Sequence, residues 1–455
     1  MRAPLTRAVF AVLALAAIGD GAAAAPGGAG EPLDAARARD RQQSTQLVSR
    51  ALDGGTPNGP STNAVISNDR RYSRIVAFES EASDLVRSDS NGVKDVFVVR
   101  RAKPFHNDGS RWRRGKTLLI SRGRSGPADG PSFSPAVSGG FFDPPTCVAF
   151  LSAATNLVPG DTNGKVDAFV SRGPGRLPSR VSLPDGREAT EDTTEVAVSA
   201  DCSRIAFVTG GRLYVRLGKR VRRLPAGGTA ADPSFSTGFR NDLVFTGPKG
   251  VYLSRSGTRH PKLVAPGGRN PAYSDIHRPP PFCKRRTLVF EKRKSGHWQV
   301  AARVQGHHTK ILSRRRTRVG NADSRHPVIG NAGCYVTFES DASNLGLNAT
   351  RRTGDYNGQA DVFLYTAVRR ITLVQSVRTK ALPLAAGGRR PSMSFYANYI
   401  VFDSPAPLRD QFPRPPWLRR SLTASQYEDP MPPPQPPPRE PIEKRQVFMR
   451  YLGPV

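Results

Sequence analysis

Ile75-Val76-Ala77-Phe78 is the first of seven short, mainly apolar segments that end in a phenylalanine, and this recurring segment decides the fold. The other six are Cys147-Val148-Ala149-Phe150, Arg204-Ile205-Ala206-Phe207, Asp242-Leu243-Val244-Phe245, Thr287-Leu288-Val289-Phe290, Tyr335-Val336-Thr337-Phe338 and Tyr399-Ile400-Val401-Phe402. Their phenylalanines follow one another at intervals of 72, 57, 38, 45, 48 and 64 residues. A shortest interval of about 40 residues, lengthened elsewhere by insertions, is typical of four-stranded blades in a β-propeller.

Each segment is predicted to be the second strand of a blade, with one short strand before it and two strands after it. The seventh segment is followed by a third strand, Gln446–Tyr451, but by no fourth. Residues 45–49 share the pattern of the fourth strand predicted at 117–121, so an N-terminal strand is expected to complete the last blade. The prediction is therefore an all-β, seven-bladed β-propeller closed by an N-terminal strand, with a six-bladed propeller as the alternative.

The composition agrees with a large all-β protein. The 455 residues include 43 glycines and 41 prolines, which separate short β-rich runs, and 37% of the residues are apolar. Glycine and proline at this density indicate many turns.

The N-terminus has the features of a secretory signal peptide. Arg2 and Arg7 precede an apolar stretch, 8–18, that is too short to span a bilayer, and small residues at 22–24 favour cleavage after Ala24. We expect a signal peptide at 1–24, a flexible linker at 25–44 and a propeller at 45–455. The mature protein is expected to be a monomer with no membrane span, secreted or held in the periplasm or cell envelope. An uncleaved lipid-facing anchor is the alternative.

Four cysteines in an exported chain favour two disulfides. Cys147, Cys202, Cys283 and Cys334 each lie three to seven residues before a repeat phenylalanine, in the turn that enters a second strand. Because neighbouring blades bring this turn together, we expect the pairs Cys147–Cys202 and Cys283–Cys334. A zinc site is the weaker alternative, since no Cys-x-x-Cys spacing occurs.

The text around the first repeat resembles a known family. Residues 78–86 and 89–98 are similar to the repeats of TolB-like β-propeller proteins, which are related to WD-repeat propellers. Residues 150–170 and 338–364 have the same sequence pattern. The resemblance covers nearly all of 45–455 and implies the propeller fold. No Trp-Asp dipeptide occurs, and the additional N-terminal domain of TolB is not expected, so its role with Tol and Pal is not carried over.

The motif Asp-x-Asn-Gly-x-x-Asp occurs three times. Oxygen ligands at alternate positions, followed by glycine, resemble the front of a calcium loop, and this makes Ca²⁺ the candidate cofactor. The candidate ligands are Asp89, Asn91 and Asp95; Asp161, Asn163 and Asp167; and Asp355, Asn357 and Asp361. The alternative is that Asp and Asn only shape the turn that Asn-Gly requires.

The connections between second and third strands are expected to differ among the blades. They are short in repeats three to five, contain the Asp-Asn-Gly motif in repeats one, two and six, and include a Pro-rich insertion at about 405–443 in repeat seven. Repeats six, seven, one and two are neighbours in a closed ring. We therefore expect a continuous crescent of long loops on one face, and we predict that it is the functional face.

The formal charge is +31, with only 13 lysines among the 68 basic residues. Such an arginine bias accompanies GC-rich coding, so a solvated basic surface and attraction to polyanions both remain open. The fifth repeat concentrates these charges in Lys284, Arg285, Arg286, Lys292, Arg293, Lys294, Arg314, Arg315, Arg316 and Arg318, with His297, His307 and His308. Export makes nucleic acid the least expected polyanion.

No catalytic motif is present: the chain lacks His-Glu-x-x-His, Gly-x-Ser-x-Gly and a phosphate-binding glycine loop. The leading hypothesis is an exported non-enzymatic propeller that binds a protein or an anionic cell-envelope polymer through the loop crescent. A propeller enzyme acting on polysaccharide, either a lyase or a glycosidase, is the second hypothesis. It would need ionisable groups clustered at the mouth of the axial channel. A calcium-stabilised structural module is the third.

Overall fold

The structure is a computed structural model and describes residues 44–140, 143–173, 175–238, 240–276, 286–330, 333–345, 358–367, 371–376, 387–405 and 445–452. These residues form seven antiparallel four-stranded sheets, one additional hairpin and two single-turn 3₁₀ helices. The predicted signal peptide, nearly all of the predicted linker and almost the whole Pro-rich insertion lie outside the described residues.

Each sheet is one blade, and its strands follow the chain from the first position to the last. The first strands are β2 (Ser61–Ile66), β6 (Ser132–Val137), β10 (Thr193–Val198), β14 (Ala231–Phe235), β18 (Gly268–Ser274), β24 (Ser324–Gly330) and β28 (Arg389–Met393). The second strands, which carry the repeat phenylalanines, are β3 (Ile75–Ser80), β7 (Val148–Ser152), β11 (Arg204–Thr209), β15 (Leu243–Gly247), β19 (Thr287–Lys294), β25 (Tyr335–Ser340) and β29 (Tyr399–Ser404).

The third and fourth strands complete the sheets. The third strands are β4 (Asp95–Arg101), β8 (Asp167–Ser171), β12 (Arg212–Leu217), β16 (Gly250–Ser254), β20 (His297–Val304), β26 (Asp361–Thr366) and β30 (Gln446–Tyr451). The fourth strands are β5 (Arg114–Leu119), β9 (Ser179–Arg180), β13 (Arg220–Arg223), β17 (Lys262–Pro266), β21 (Lys310–Ile311), β27 (Ile371–Val374) and, in blade seven, β1 (Ser44–Leu47). The 3₁₀ helices are η1 (Pro184–Gly186) and η2 (Arg255–Gly257).

The N-terminal strand closes the ring. Strand β1 pairs with β30 in blade seven, with Leu47 opposite Phe448, so the predicted seven-bladed propeller with N-terminal closure is confirmed. The open edge that β30 would otherwise present is thereby covered within the chain.

The first strands form the innermost ring. Each contacts the first strand of the next blade, and the sequence of contacts returns from β28 to β2. The blades are therefore arranged radially around an axis, with the first strands lining the central channel.

The recurring phenylalanine forms cross-strand aromatic pairs inside a blade. Phe78 stacks on Phe97 with ring centroids 5.9 Å apart, and Phe207 stacks on Tyr214 at 5.3 Å. Equivalent second-to-third-strand stacks occur in blades two, four, six and seven. In blade five Phe290 pairs instead with Ala301. Burial of these rings accounts for the repeat, since each removes a large apolar surface from water.

Each first strand contains a β-bulge where its register with the second strand shifts. In six blades the bulge has a residue with positive φ, namely Asn63, Ser134, Asp232, Asn270, His326 or Arg390. A proline follows this residue in five of those blades, as Pro135 follows Ser134. In blades four and six, for example, the sequence suggested strand starts at Pro233 and Pro327, whereas the strands begin before the bulge, at Ala231 and Ser324.

Blades two and three are joined by a disulfide between Cys147 and Cys202, with Cα atoms 6.1 Å apart. This is the first of the two expected pairs. Cys283, the expected partner of Cys334, lies outside the described residues. The hairpin of β22 (Arg314–Arg315) and β23 (Arg318–Val319) was not predicted, because an arginine run shows no alternation of apolar and polar residues.

Candidate functional site

The loop face is the side of the ring where second strands end and third strands begin. In blades one and two this connection spans residues 81–94 and 153–166, and in blades six and seven it spans 341–360 and 405–445. In blades three, four and five it is a two-residue turn, as at Gly210-Gly211. The predicted difference in loop length among the blades is therefore present, although 346–357 and 406–444 lie outside the described residues.

Two of the three short turns, those of blades three and five, have a left-handed backbone at both positions. Gly210 and Gly211 have φ values of 55° and 69°, and Ser295 and Gly296 have 52° and 81°. Two consecutive residues with positive φ are typical of a type I′ turn, which matches the twist of the flanking strands. Blades three to five thus close on the loop face with the fewest residues.

The Asp-x-Asn-Gly-x-x-Asp loops of blades one and two are shaped by their asparagines. Asn91 Nδ2 donates to Asp95 Oδ2 at 2.6 Å and to the Ala128 carbonyl at 2.8 Å, while its Oδ1 accepts the Val93 N–H. In blade two Asn163 makes the same three hydrogen bonds, to Asp167, Ala189 and Lys165. In both loops the amide nitrogen, and not the amide oxygen, faces the closing aspartate.

The aspartates of these loops are buried at the start of the third strands. Asp95 and Asp167 have no exposed surface, and Asp89 and Asp161 are each 9% exposed. Burial raises the pKa of Asp95 to about 6, and the nearby Asp89 charge adds to this effect. Burial also raises the pKa of Asp161 to about 6, although Arg180 acts in the opposite direction.

In the third copy of the motif only the end of the loop is described. Asp361 is buried, and its carboxylate accepts a hydrogen bond from Ser376, as Asp95 does from Ser121. Asp355 and Asn357 lie outside the described residues. Across the described ranges, no group of three or more His, Cys, Asp or Glu side chains is placed to hold a metal ion.

A second set of acidic groups lies where neighbouring blades meet near the channel. Five carboxylates each accept a hydrogen bond from the backbone N–H of the positive-φ bulge residue in the next blade. The pairs are Glu79 with Ser134 (2.8 Å), Glu195 with Asp232 (2.6 Å), Asp232 with Asn270 (3.1 Å), Glu291 with His326 (2.9 Å) and Glu339 with Arg390 (2.7 Å). These carboxylates lie near the ends of inner strands on the loop face and connect one blade to the next.

The remaining two junctions depart from this pattern. Asp403 follows the repeat phenylalanine of blade seven, but its Oδ1 is buried without a hydrogen-bond partner while its Oδ2 accepts from Arg445 Nη1 at 3.0 Å. Aspartate is one methylene shorter than the glutamate at this place in blades one, five and six. In blade two the corresponding residue is Leu151, which has no carboxylate.

The carboxylates of this set differ in electrostatic environment. Burial raises the pKa of Glu195 to about 7, and the neighbouring Asp232 charge raises it further. Burial raises the pKa of Asp403 to about 6 against the opposing effect of Arg390 and Arg445. Glu339 has a lowered pKa: burial would raise it, but the hydrogen bond and charge of His326 outweigh that effect.

Sequence reasoning missed these junction carboxylates. A local signal was present, because Glu79, Glu291, Glu339 and Asp403 each follow directly after a repeat phenylalanine. The backbone N–H groups that donate to Glu79, Glu291 and Glu339, however, belong to the next blade and lie 35 to 55 residues further along the chain.

The basic residues of the fifth repeat divide between the two faces. Lys292, Arg293 and Lys294 end β19 on the loop face, where all three are exposed, and the β22–β23 hairpin follows a fourth strand that also ends on this face. His307 and His308 lie on the opposite face, where they line a groove with Arg303. Lys284 and Arg285 lie outside the described residues.

No protein-family model matches the chain, and no curated protein matches it. Solved β-propellers are similar to it in fold. They include a protein assigned as TolB from Agrobacterium tumefaciens (12% identity, 48% of this chain and 71% of that one, TM-score 0.30). The others are the β-propeller domain of the Trilobed protease from Pyrococcus furiosus (9%, 76% and 89%, 0.43) and the WD40 domain of SCAP from fission yeast (10%, 91% and 98%, 0.41).

These similarities extend to the fold alone. TolB-like and WD40 β-propellers are thus among the structures that this chain resembles. In the part of the chain that the structure describes, no helix is long and hydrophobic enough to cross a bilayer.

Proposed function

We propose that this chain is an exported, non-enzymatic β-propeller that binds a protein or an anionic cell-envelope polymer through its loop face. The observation that carries the proposal is the unequal length of the second-to-third-strand connections. Four neighbouring blades have long connections on this face, while the other three close it with two residues.

The long connections are not needed to build a blade. Blade three forms a complete four-stranded sheet with only Gly210-Gly211 at this position. Additional loop residues on a rigid scaffold are the usual location of binding groups, because the scaffold fixes where the loops begin and end. Because the long loops belong to adjacent blades, they favour one continuous contact surface over four separate ones.

Basic side chains on the same face support an anionic partner. Lys292 and Lys294 are exposed at the end of β19, and the arginine hairpin of β22 and β23 follows on the same side. The whole chain carries a formal charge of +31. A positive surface of this kind attracts polyanions over about 8 to 10 Å at physiological salt.

Export is supported by two features. The N-terminal sequence has the order of charged, apolar and small residues that signal peptides have. The disulfide between Cys147 and Cys202 is a bond that persists mainly in oxidising compartments.

The test measures binding of the mature chain to immobilised anionic envelope polysaccharide and to a protein fraction of the envelope. One variant lacks residues 405–443, and a second carries Lys292→Glu and Lys294→Glu on the loop face. The matched control carries Lys219→Glu and Arg220→Glu, two exposed residues at the β12–β13 turn on the opposite face. Circular dichroism and melting temperature establish that each variant is folded.

We expect at least one of the two loop-face variants to bind more weakly than the wild type, and the control to bind equally well. If the charge-reversal variant binds more weakly than the wild type, and the difference is largest at low salt, the partner is a polyanion. If only the deletion variant binds more weakly, the partner is a protein. Equal binding by all the folded variants, or no binding to either fraction, contradicts the proposal.

A second candidate is a polysaccharide-degrading enzyme, and one specific observation favours it. Glu195 lies on an inner strand, and burial raises its pKa to about 7, which suits a proton donor at neutral pH. Incubation with a panel of envelope polysaccharides tests this candidate through the release of new reducing ends or unsaturated products. Turnover that Glu195→Gln abolishes would establish it, and the absence of turnover would remove it.

A further inference from the structure

The Asp-Asn-Gly loops of blades one and two have the same internal hydrogen bonds. In addition to the asparagine contacts, the closing aspartate of each accepts a hydrogen bond from a serine after the fourth strand, Ser121 for Asp95 and Ser182 for Asp167. The two loops can therefore be compared atom by atom.

In blade two a basic side chain neutralises the loop. Arg180 Nη1 lies 2.8 Å from Asp161 Oδ1, 3.3 Å from Asp167 Oδ2 and 2.7 Å from Glu188 Oε1. The arginine side chain is only 9% exposed, so the guanidinium fills the space between the two loop aspartates. Buried carboxylates are expected to have such a partner, because an uncompensated buried charge is costly.

In blade one this partner is missing. Arg180 pairs in the sheet with Phe169, the phenylalanine of the third strand, and the residue that pairs in the same way with Phe97 is Leu119. Leu119 is buried and apolar. Within the described residues neither Asp89 nor Asp95 forms an ion pair, although their charges are close enough to interact.

One buried oxygen of this loop has no partner. Asp89 is nine-tenths buried, and its Oδ1 forms no hydrogen bond in the structure. In blade two Asp161 also has one buried oxygen without a hydrogen bond, Oδ2, but its Oδ1 lies 2.8 Å from Arg180 Nη1, so that carboxylate has a compensating charge. In blade one, two buried carboxylates, one with an unpartnered oxygen, lie together without the basic side chain that blade two has, and this combination points to a bound cation.

We propose that the loop of blade one binds a calcium ion between Asp89 and Asp95, at the place that the Arg180 guanidinium occupies in blade two. Calcium suits this site because it accepts irregular sets of oxygen ligands and keeps water where the protein supplies few. Two carboxylates, completed by carbonyl groups and water, correspond to the weak sites of extracellular modules, with Kd of about 0.1 to 1 mM. Asn91 orients Asp95 in this site and does not ligate the metal.

The experiment uses the full mature chain after removal of metals with a chelator. Isothermal titration calorimetry and thermal unfolding are measured in calcium up to about 10 mM, above the expected Kd. The variants are Asp89→Asn in blade one and, as the matched control, Asp161→Asn in blade two. Leu119→Arg introduces into blade one the basic residue that blade two has.

We expect calcium to release or absorb heat and to raise the melting temperature of the wild-type chain by several degrees. Asp89→Asn removes that component of the response, whereas Asp161→Asn retains it. Leu119→Arg also abolishes the calcium response. Leu119 is buried, so if the Leu119→Arg variant does not fold, Asp89→Asn alone decides the question. Any calcium response from the blade-six loop is common to all variants, so the difference between wild type and Asp89→Asn is the readout.

Two results overturn the proposal. One is a wild-type chain with neither heat of binding nor a melting shift in 10 mM calcium, which leaves a proton or water as the partner of Asp89. The other is a calcium response in Asp89→Asn equal to that of the wild type.

Discussion

Leu47 lies opposite Phe448 in the outer strand pair of blade seven, so two residues about 400 positions apart in sequence close the ring. Leu47 is 8% exposed and packs in the apolar cluster that contains Phe402, Phe448 and Val362. Blade seven depends on this contact for its fourth strand.

We therefore expect Leu47→Ala to lower the free energy of unfolding by about 2 to 4 kcal/mol, the usual cost of removing a buried leucine side chain. Urea denaturation of both proteins measures the difference. Leu52, which is 58% exposed, supplies the control, and Leu52→Ala should stay within about 0.5 kcal/mol of the wild type. Equal losses for the two variants would show that β1 does not stabilise the ring.

The disulfide between Cys147 and Cys202 should stabilise the junction of blades two and three. It connects residues separated by 55 positions, and closure of a loop of this size in the unfolded chain corresponds to about 4 kcal/mol. Replacing both cysteines with alanine should lower the melting temperature by several degrees. Reductant should destabilise the wild type more than the double variant, and equal sensitivity of the two would argue against the prediction.

Glu195 provides a prediction about pH. Its pKa is raised to about 7 from an ordinary value of 4.5, mainly by burial. The folded protein therefore binds the proton of Glu195 more tightly than the unfolded chain does. The stabilisation of the folded state by this protonated group is fully present below pH 4.5 and is lost as the pH rises through 7.

Glutamine resembles the protonated acid and can still accept the Asp232 N–H. Glu195→Gln should therefore be more stable than the wild type at pH 8, by about 1 to 3 kcal/mol, and nearly equal to it at pH 4.5. Denaturation midpoints at the two pH values measure this. Glu191→Gln, at a half-exposed glutamate, is the control and should change little at either pH. A Glu195→Gln variant that is less stable at pH 8 would contradict the burial argument.

The fold was predictable because its signal is local and repeated. Strand β30 has the bounds that the sequence indicated, Gln446–Tyr451, since an apolar run that faces the repeat phenylalanine Phe402 marks it. N-terminal closure was predictable because 45–49 has the pattern of a fourth strand. The bulges of the first strands were not, since a positive φ before proline breaks the alternation on which strand prediction depends.

The sites were less predictable because they depend on partners from other strands. The sequence drew attention to Asp89 and Asp161 equally, and only the pairing of Leu119 with Phe97 and of Arg180 with Phe169 distinguishes the two loops. The junction carboxylates likewise depend on contacts between blades, for which a single repeat contains no information. The sequence can therefore identify candidate carboxylates by residue type, but the side chains and N–H groups that they contact are known only from the strand register.

The ion pair of His326 and Glu339 gives the last prediction. Burial would lower the pKa of His326, but the hydrogen bond from its ring to Glu339, at 3.1 Å, and the negative charge of that residue raise it. The stability gained from protonated His326 is therefore present below its ordinary pKa of 6.5 and is lost as the pH rises through the elevated value. Since the His326 side chain is half exposed, its contribution should be below about 1 kcal/mol.

His326→Asn tests this contribution without disturbing the backbone, because asparagine tolerates the positive φ of 52° at this position. Compared with the wild type, the variant should lose more stability at pH 6 than at pH 9, as measured by urea denaturation. His297→Asn, at a half-exposed histidine 3.6 Å from Asp323, is the matched control for removal of an imidazole. If the loss in His326→Asn is the same at both pH values, the imidazole contributes by packing and not by its charge.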